Sequence, residues 1–394
     1  MKQLLLLLFV ASLLMTSCDP AKDTTPQTIL TIASSSDVPV GDWPDRGLPV
    51  DYIVKIQVNF SSGIVNVGKN VTIQFDGANA SFNITGSAAV KMIGTKDQPI
   101  ILEGITPTKG TWKGVLLNSS SSENIWEYVT IRDAGSTVDG AIVMSSIVNQ
   151  KPSISNCLIT NNKGYGVYCN SSSTLFTKFS NNTISDNSNA PIFLHLNTIQ
   201  SLDSNNILAN NTNKFVELHT LSYQLDESAI WNKQDVPYRL KGLIIKKRLE
   251  LRPGTKLEFL PSTLMVVGTA STEVPAAVLI ANGTPTQPIS ISGTVPNVAG
   301  QWEGVRVNSS SVEHVMNYCN IDGAGSVAGS CATFKSALTI GRRTSCTAIL
   351  SKGSFTNLSI TNSGGYGIAY RSSDNPVVSA NSFSNCALAN VFNF

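Results

Sequence analysis

Four aromatic residues stand at matched places in this 394-residue chain, and rings of this kind can stack on the apolar faces of sugars. Trp112 and Trp302 each lie between glycines, in Gly-Thr-Trp-Lys-Gly and Gly-Gln-Trp-Glu-Gly. Tyr165 and Tyr366 each lie within Gly-Tyr-Gly. The alternative for all four is packing over a turn, where the glycines let the backbone pass close by. We favour packing and keep the four as the candidate carbohydrate-binding residues.

A row of polar residues at predicted strand ends is the second candidate site. Asp133, Asn161 and Asp186 recur with a period of about 25 residues. With Arg132 beside them, Asp133 and Asp186 could bind an ion or a uronate. In a stack of coils, carboxylates two coils apart would be separated by about 9.6 Å, which is wide for one calcium ion. A ladder of turn residues that bind backbone groups explains the same pattern, and we favour it.

The other residues that could do chemistry form no recognised motif. His195, His219 and His314 are far apart in the sequence and lack the spacing of metal ligands, so we expect them on surfaces or turns. The sequence contains no nucleophile elbow, P-loop or dinucleotide fingerprint. The sequence therefore predicts no catalytic residue, no metal site and no cofactor.

Six of the seven cysteines follow Cys18. Cys157 and Cys319 occupy the inward position of predicted strands, where a cysteine acts as a small apolar residue. Cys331 and Cys346 lie in or beside an insertion of roughly ten residues, and an exported protein permits a disulfide there. We favour a disulfide between these two.

The N-terminus has the pattern of an exported protein. One lysine precedes an apolar run from Leu4 to Leu14, and Met-Thr-Ser then leads to Cys18. The run has the length of a signal-peptide core and is too short to span a bilayer. The pattern resembles the lipobox of bacterial lipoproteins, which implies that residues 1–17 are removed and that Cys18 is diacylated. The alternative is an ordinary secretory signal with a chance cysteine.

This resemblance implies a protein that a lipid anchors to a membrane of the bacterial cell envelope. We expect the outer membrane, on its periplasmic or its surface face. Residues 18–42 would be the lipidated cysteine and a flexible tether, because they are rich in Thr, Ser, Pro and Asp. Nucleic acid is excluded as a partner, since the net charge is only +2 and no basic cluster alternates with aromatic residues.

The remainder of the chain repeats itself. Gly-Thr-Lys-Asp-Gln-Pro-Ile at 94–100 returns as Gly-Thr-Pro-Thr-Gln-Pro-Ile at 283–289, and the two candidate tryptophans occupy matched places. We predict two tandem copies of one unit, residues 43–215 and residues 225–394, which continue one into the other. They are called the first and the second segment below.

A shorter repeat lies within each segment. Ile131, Ile159 and Ile184 each stand in a run of alternating apolar residues that ends at a polar turn. Such a unit cannot bury its apolar stripe alone but can do so by stacking on copies of itself. Only 14% of the residues are charged, and Gly, Asn, Ser and Thr are abundant, which is typical of many short strands and tight turns. We therefore predict an all-β solenoid.

These motifs resemble the right-handed parallel β-helix proteins of the pectin-lyase-like group. The resemblance covers nearly the whole chain after residue 42, and it implies a fold rather than an activity. The Asn-Thr-Asp, Asp-Asp, Gly-His-Gly and Arg-Ile-Lys motifs of the polygalacturonases in this group do not occur. The favoured function is a non-catalytic binding or structural module, with polysaccharide or another glycan as the ligand. One alternative is a polysaccharide lyase, hydrolase or C5-epimerase, and another is an adhesin or assembly component.

Overall fold

The computed structural model describes residues 27–145, 149–219, 223–269, 274–326, 334–341 and 351–394. Within these ranges the chain forms 38 short β-strands, and its only helices are three 3₁₀ helices, Ser35–Asp37, Leu196–Ser201 and Ser372–Asp374. Cys18 and the predicted disulfide between Cys331 and Cys346 lie outside the described residues.

The first nineteen strands precede residue 219. They are β1 (Leu30–Ile32), β2 (Tyr52–Val54), β3 (Gln57–Phe60), β4 (Ile64–Val67), β5 (Thr72–Phe75), β6 (Ser81–Gly86), β7 (Ala89–Ile93), β8 (Ile100–Gly104), β9 (Gly114–Ser119), β10 (Ile125–Glu127), β11 (Val129–Arg132), β12 (Gly140–Met144), β13 (Ser153–Ser155), β14 (Leu158–Thr160), β15 (Tyr165–Cys169), β16 (Lys178–Ser180), β17 (Thr183–Ser185), β18 (Ile192–Leu194) and β19 (Val216–Leu218).

The other nineteen strands follow. They are β20 (Gln224–Leu225), β21 (Ala229–Trp231), β22 (Tyr238–Leu240), β23 (Leu243–Ile245), β24 (Arg248–Leu251), β25 (Lys256–Phe259), β26 (Leu264–Gly268), β27 (Val278–Asn282), β28 (Ile289–Gly293), β29 (Gly304–Asn308), β30 (Val315–Asn317), β31 (Cys319–Asp322), β32 (Ser336–Ile340), β33 (Ser354–Thr356), β34 (Ser359–Thr361), β35 (Tyr366–Tyr370), β36 (Val377–Ser379), β37 (Ser382–Ser384) and β38 (Val391–Asn393).

The strands form five sheets, and every strand pairing is parallel. The sheets are A (β1, β2, β5, β8, β11, β14, β17), B (β4, β7, β10, β13, β16), C (β3, β6, β9, β12, β15, β18, β19, β22, β25, β28, β31, β34, β37), D (β20, β23, β26, β29, β32, β35, β38) and E (β21, β24, β27, β30, β33, β36). In the first segment the chain visits sheets A, C and B in turn, so three strands make one coil. This architecture confirms the predicted parallel β-helix.

The inside of the coils is filled by ladders of apolar side chains. Ile131 pairs in register with Ile159, and Ile159 pairs with Ile184, as the alternating pattern predicted. All three side chains are fully buried. Because each coil covers the apolar face of the next, the stack removes from water a stripe that a single coil would leave exposed.

A ladder of buried asparagines fills the turn that follows sheet A. Asn162 donates from Nδ2 to Oδ1 of Asn187 at 2.9 Å, and Asn187 donates in the same way to Asn211 at 2.9 Å. The Asn162 Oδ1 atom in turn accepts the backbone N–H of Ala134 at 2.9 Å. The ladder supplies partners for turn backbone groups that no strand can pair.

Matched places in the two segments make the same contacts. The Trp112 ring stacks on Phe75 with ring centroids 3.9 Å apart, and the Trp302 ring stacks on Phe259 at 4.7 Å. Each indole N–H donates at 2.8 Å to the backbone carbonyl that ends a strand of the next coil, that of Arg132 on β11 or that of Asp322 on β31. The repeat seen in the sequence therefore extends to side-chain geometry.

The two segments differ in the face on which matched strands lie. Strand β11, with Val129 and Ile131, belongs to sheet A, whereas β31, with the matching Cys319 and Ile321, belongs to sheet C. Sheets C, D and E of the second segment thus follow one another as A, C and B do in the first. Because sheet C runs unbroken through both segments, the second segment is turned by one face of the solenoid relative to the first.

We expect Trp302→Ala to lower the free energy of unfolding by about 3–5 kcal/mol, because it leaves a cavity in a core that cannot collapse fully. Denaturant unfolding followed by circular dichroism measures the change. Tyr223→Ala is the control, since that side chain is 41% exposed and its loss should change the free energy by less than about 0.5 kcal/mol. An equally small effect of Trp302→Ala would contradict the buried stack.

His314 is buried in the core of the second segment, at the place where the first segment has Asn124. Its Nδ1 accepts the Leu279 N–H at 3.3 Å, and its Nε2 lies 3.3 Å from the Ser309 carbonyl oxygen. Asn124 makes the corresponding contact by accepting the Val90 N–H at 3.0 Å. Burial lowers the pKa of His314 to about 4, so the imidazole is neutral in the folded chain. A surface position for His314 is therefore ruled out, and the residue lies buried in the turn between β29 and β30.

The buried imidazole predicts a stability that falls in weak acid. Between the ordinary histidine pKa near 6.5 and about 4, the unfolded chain binds a proton at His314 that the folded chain excludes. The free energy of unfolding should therefore fall over this range by up to about 3 kcal/mol and level off below it. His314→Asn, which copies the first segment, should reduce this fall in denaturant unfolding measured from pH 7 to pH 4. An unchanged pH dependence in the variant would contradict the assignment.

Candidate functional site

One outward-facing row of side chains on sheet C changes from apolar to charged along the solenoid. Its members pair in register across five neighbouring strands, in the order Val143, Tyr168, Phe193, Glu217 and Arg239. Neighbouring strands are about 4.8 Å apart, so the row passes from apolar through aromatic to charged within about 20 Å. Side chains that alternate in and out of a strand place this row opposite the buried core.

Tyr165, Tyr168 and Phe193 form what we call the aromatic patch. The Tyr168 and Phe193 rings stack with centroids 4.7 Å apart and planes 19° apart. The Tyr165 ring lies 5.5 Å from Tyr168 and 5.6 Å from Phe193. Both tyrosines are partly exposed. Phe193 is buried, with only 8% of its surface exposed, so solvent reaches the patch through the two tyrosines.

A carboxylate holds the Tyr165 ring in place. Its hydroxyl donates to Glu217 Oε2 at 2.7 Å, across two coils. Burial, and then the neighbouring Glu217 carboxylate, raise the pKa of Tyr165. The phenol therefore stays protonated and acts as a hydrogen-bond donor rather than a base.

Arg239 continues the row beyond Glu217. Its guanidinium lies over the Phe215 ring at 3.5 Å from the centroid and donates to Glu258 Oε2 at 2.8 Å. The aromatic contact and the ion pair orient the planar guanidinium. Glu217, Arg239 and Glu258 thus line one side of the aromatic patch with fixed hydrogen-bonding groups.

Two histidines border the patch. His195 and His219 follow β18 and β19, and their ring centroids are 5.6 Å apart. The His219 ring also meets Phe193 edge-on at 5.8 Å. Burial, followed by the charge of His219, lowers the pKa of His195. Although they are 24 residues apart in the sequence, the two histidines are neighbours in space, because they stand one coil apart in the stack.

A cleft of about 420 Å³ opens beside Tyr165. Polar side chains line it, among them Asp139, Lys163 and Asn189. Asn189 also accepts a hydrogen bond at 2.6 Å from Asn213 on the next coil, which fixes its amide. The cleft extends the aromatic patch with donors and acceptors that a hydroxyl-rich ligand would need.

Trp112 and Trp302 are not available to a ligand. Both side chains are fully buried, since each ring is covered by a phenylalanine and its N–H is bonded to backbone. The hypothesis that these two rings stack on sugars is wrong, and the packing interpretation is confirmed.

The predicted ion or uronate site has the geometry of a turn ladder. Asp133 is buried, accepts a hydrogen bond from Asn161 at 2.6 Å, and has its pKa raised by burial. The Arg132 guanidinium is paired with Glu103 and not with the ladder. Asp133, Asn161 and Asp186 have φ angles of 68°, 55° and 55°, in the left-handed region that Asn and Asp tolerate. The ladder therefore stabilises the turn, and the Asp133 carboxylate is already bound by Asn161.

Tyr366 lies in a second aromatic cluster, on sheet D. Its ring stacks on Phe392 with centroids 4.5 Å apart, and Phe334 and Phe394 lie at the edge of the same cluster. Tyr366 and Phe392 are partly exposed. Of the four aromatic candidates, the two tyrosines therefore reach the surface and the two tryptophans do not.

Tyr168, Phe193 and Glu217 were not singled out from the sequence, although a signal for them exists. They follow one another at 25 and 24 residues, which is the length of one coil. His195 and His219 are likewise 24 residues apart. Residues separated by one coil length on the same strand position become neighbours in space.

Within the described ranges, no group of three or more His, Cys, Asp or Glu side chains is placed to hold a metal ion. In that same part of the chain, no helix has the length and apolar character needed to cross a bilayer.

The fold and the site together define a parallel β-helix with an aromatic patch on the outer face of its longest sheet. Comparison with protein-family models, with curated proteins and with solved structures finds no match for the chain.

Proposed function

We propose that this protein is a lipid-anchored β-helix of the bacterial cell envelope that binds a polysaccharide or another glycan through the aromatic patch. The observation that carries the proposal is the row on sheet C, in which stacked Tyr168 and Phe193 adjoin Glu217 and Arg239. Aromatic faces cover the apolar side of a pyranose ring, and fixed polar groups bind its hydroxyls. The row runs along the solenoid, which suits an extended polymer.

The charged part of the same row favours a second candidate, a lyase, hydrolase or C5-epimerase. Glu217 and Glu258 stand two strands apart on either side of Arg239. Their strands are separated by about 9.6 Å, close to the upper limit for the carboxylate pair of an inverting glycosidase. Binding remains the leading proposal, because Arg239 is paired with Glu258 and the Tyr165 phenol is held protonated.

The binding proposal predicts retardation of the protein in gels that contain a polysaccharide. The probes are mixed-linkage β-glucan, xylan, mannan, polygalacturonate and alginate, and the mature full chain is held one copy per lipid nanodisc. We expect at least one polymer to retard the chain. Tyr168→Ala combined with Phe193→Ala should weaken that interaction at least tenfold, or about 1.4 kcal/mol, because the stacking surface is lost.

Tyr168→Phe keeps the ring and should keep the binding, while Tyr223→Ala controls for removal of an exposed aromatic side chain elsewhere. Thermal unfolding of each variant separates loss of binding from loss of fold. Retardation that persists in the double variant, or no retardation by any of the five polymers, would reject the aromatic patch as a glycan site. Shortening of a polymer during incubation would favour the enzyme.

The proposed anchor predicts that the chain carries fatty acid at Cys18. A bacterium that expresses the protein is fed an alkyne-tagged fatty acid, and we expect the label on the wild-type chain and none on Cys18→Ser. Cys386→Ser is the matched control and should keep the label, since a partly exposed cysteine within the solenoid is not in a lipobox. A label retained by Cys18→Ser would refute the lipoprotein assignment.

We also infer that the first and second segments arose by tandem duplication. The support is the shared sequence together with the matched stacks of Trp112 on Phe75 and Trp302 on Phe259.

A further inference from the structure

The aromatic patch has a counterpart in the second segment. Tyr366 corresponds to Tyr165, since both stand within Gly-Tyr-Gly at the start of matching strands. Phe392 corresponds to Phe193. Phe193 follows Ile192, which pairs with Val167, and Phe392 follows Val391, which pairs with Ile368. Val167 and Ile368 each lie two residues after the tyrosine of their segment. Both segments therefore carry an outward Tyr–Phe pair on adjacent coils.

The two pairs differ in one neighbour. In the first segment Tyr168 pairs with Phe193 and stacks on it, whereas in the second Ala369 pairs with Phe392. With no ring in between, Phe392 stacks directly on Tyr366, with planes 12° apart. Each segment thus has a stacked pair of rings on its outer side, built from different members of the same set of positions, and Phe193 is the one buried ring among the four.

The two pairs face different directions. Tyr165 is on β15 of sheet C, and Tyr366 is on β35 of sheet D. Sheet D follows sheet C along each coil, so the second pair is turned by about a third of a revolution from the first. From β15 to β34, the sheet C strand just before β35, there are seven pairing steps, or roughly 34 Å along the axis.

We propose that the two aromatic pairs are separate glycan sites and that one molecule of this protein binds two polysaccharide chains at once. The proposal rests on the proposed function, since it assumes that the Tyr–Phe pair of the first segment binds glycan. A polymer that follows the face of sheet C leaves the second pair out of reach around the solenoid. Each site therefore takes its own chain, and the protein acts as a cross-link.

The side chains beside each pair indicate two related but unequal sites. The first pair has Glu217 and Arg239 beside it, whereas the second is bordered by Phe334 and Phe394. The ligand class is the same, because the shared element is the pair of rings. We expect the first site to bind more tightly, since more hydrogen-bonding groups converge on it.

Calorimetric titration of the mature full chain, one per nanodisc, tests the number of sites. The probes are hexasaccharides of β-glucan, xylan, mannan, polygalacturonate and alginate. We expect two hexasaccharides per chain for the wild type and one for either Tyr165→Ala or Tyr366→Ala. Tyr165→Phe and Tyr366→Phe keep the rings and should still bind two.

A capture assay tests simultaneous binding. Immobilised polymer of the type that binds holds the chain, and the same polymer in fluorescent soluble form is then added. The wild type should retain fluorescence, and each single Tyr→Ala variant should lose at least nine-tenths of it.

The outcomes separate the inference from the proposed function. One hexasaccharide per chain, lost in Tyr165→Ala and unchanged in Tyr366→Ala, would overturn the cross-link and leave the first site standing. Binding of none of the five hexasaccharides would overturn both. Two sites in the wild type that both survive Tyr366→Ala would place the second site elsewhere and also overturn the inference.

Discussion

The register of sheet C is the constraint on which the other features depend. Its thirteen strands pair in parallel without a break, and the side-chain period of two sends one row inward and the next outward. A slip of one residue would bury Tyr168 and expose the apolar neighbours that now fill the core. The stack therefore fixes the core and the surface patch with a single set of hydrogen bonds. The turn ladder keeps that set aligned, because Asp133, Asn161 and Asp186 hold a left-handed conformation at the corner that follows sheet A.

Much of this arrangement could be predicted from the sequence, because the same residue pattern recurs on successive coils of a solenoid. The inward ladder of Ile131, Ile159 and Ile184 follows from alternating apolar residues, and the turn ladder follows from Asn and Asp at one recurring position. The aromatic patch does not follow so directly. Its rings come from different coils, and the coil length varies, so the partner of Tyr168 on the next coil is known only once the register is known.

The buried tryptophans show where a local pattern stops being informative. A glycine-flanked Trp has the same local sequence whether its ring is buried or exposed. In both segments the ring is buried because a phenylalanine from an earlier coil stacks on it. Tyr165, in an equally glycine-flanked position, reaches the surface because its hydroxyl has a carboxylate to bind on the outer face. The tryptophans and Tyr165 differ in where the polar atom of the ring finds its partner. The indole N–H of each Trp binds a backbone carbonyl within the wall of the coil, whereas the Tyr165 hydroxyl binds Glu217 on the outer face.

The offset of the second segment by one face shows that the three walls of this solenoid are interchangeable as scaffolds. The same kind of strand sequence is accepted on sheet A in one half and on sheet C in the other. The smallest step by which such a molecule can grow is therefore one strand with its turn, not one whole coil. The connection between the two segments therefore determines on which face of the solenoid each later strand lies. Adding or removing a single strand there would re-aim an entire surface while leaving its core untouched.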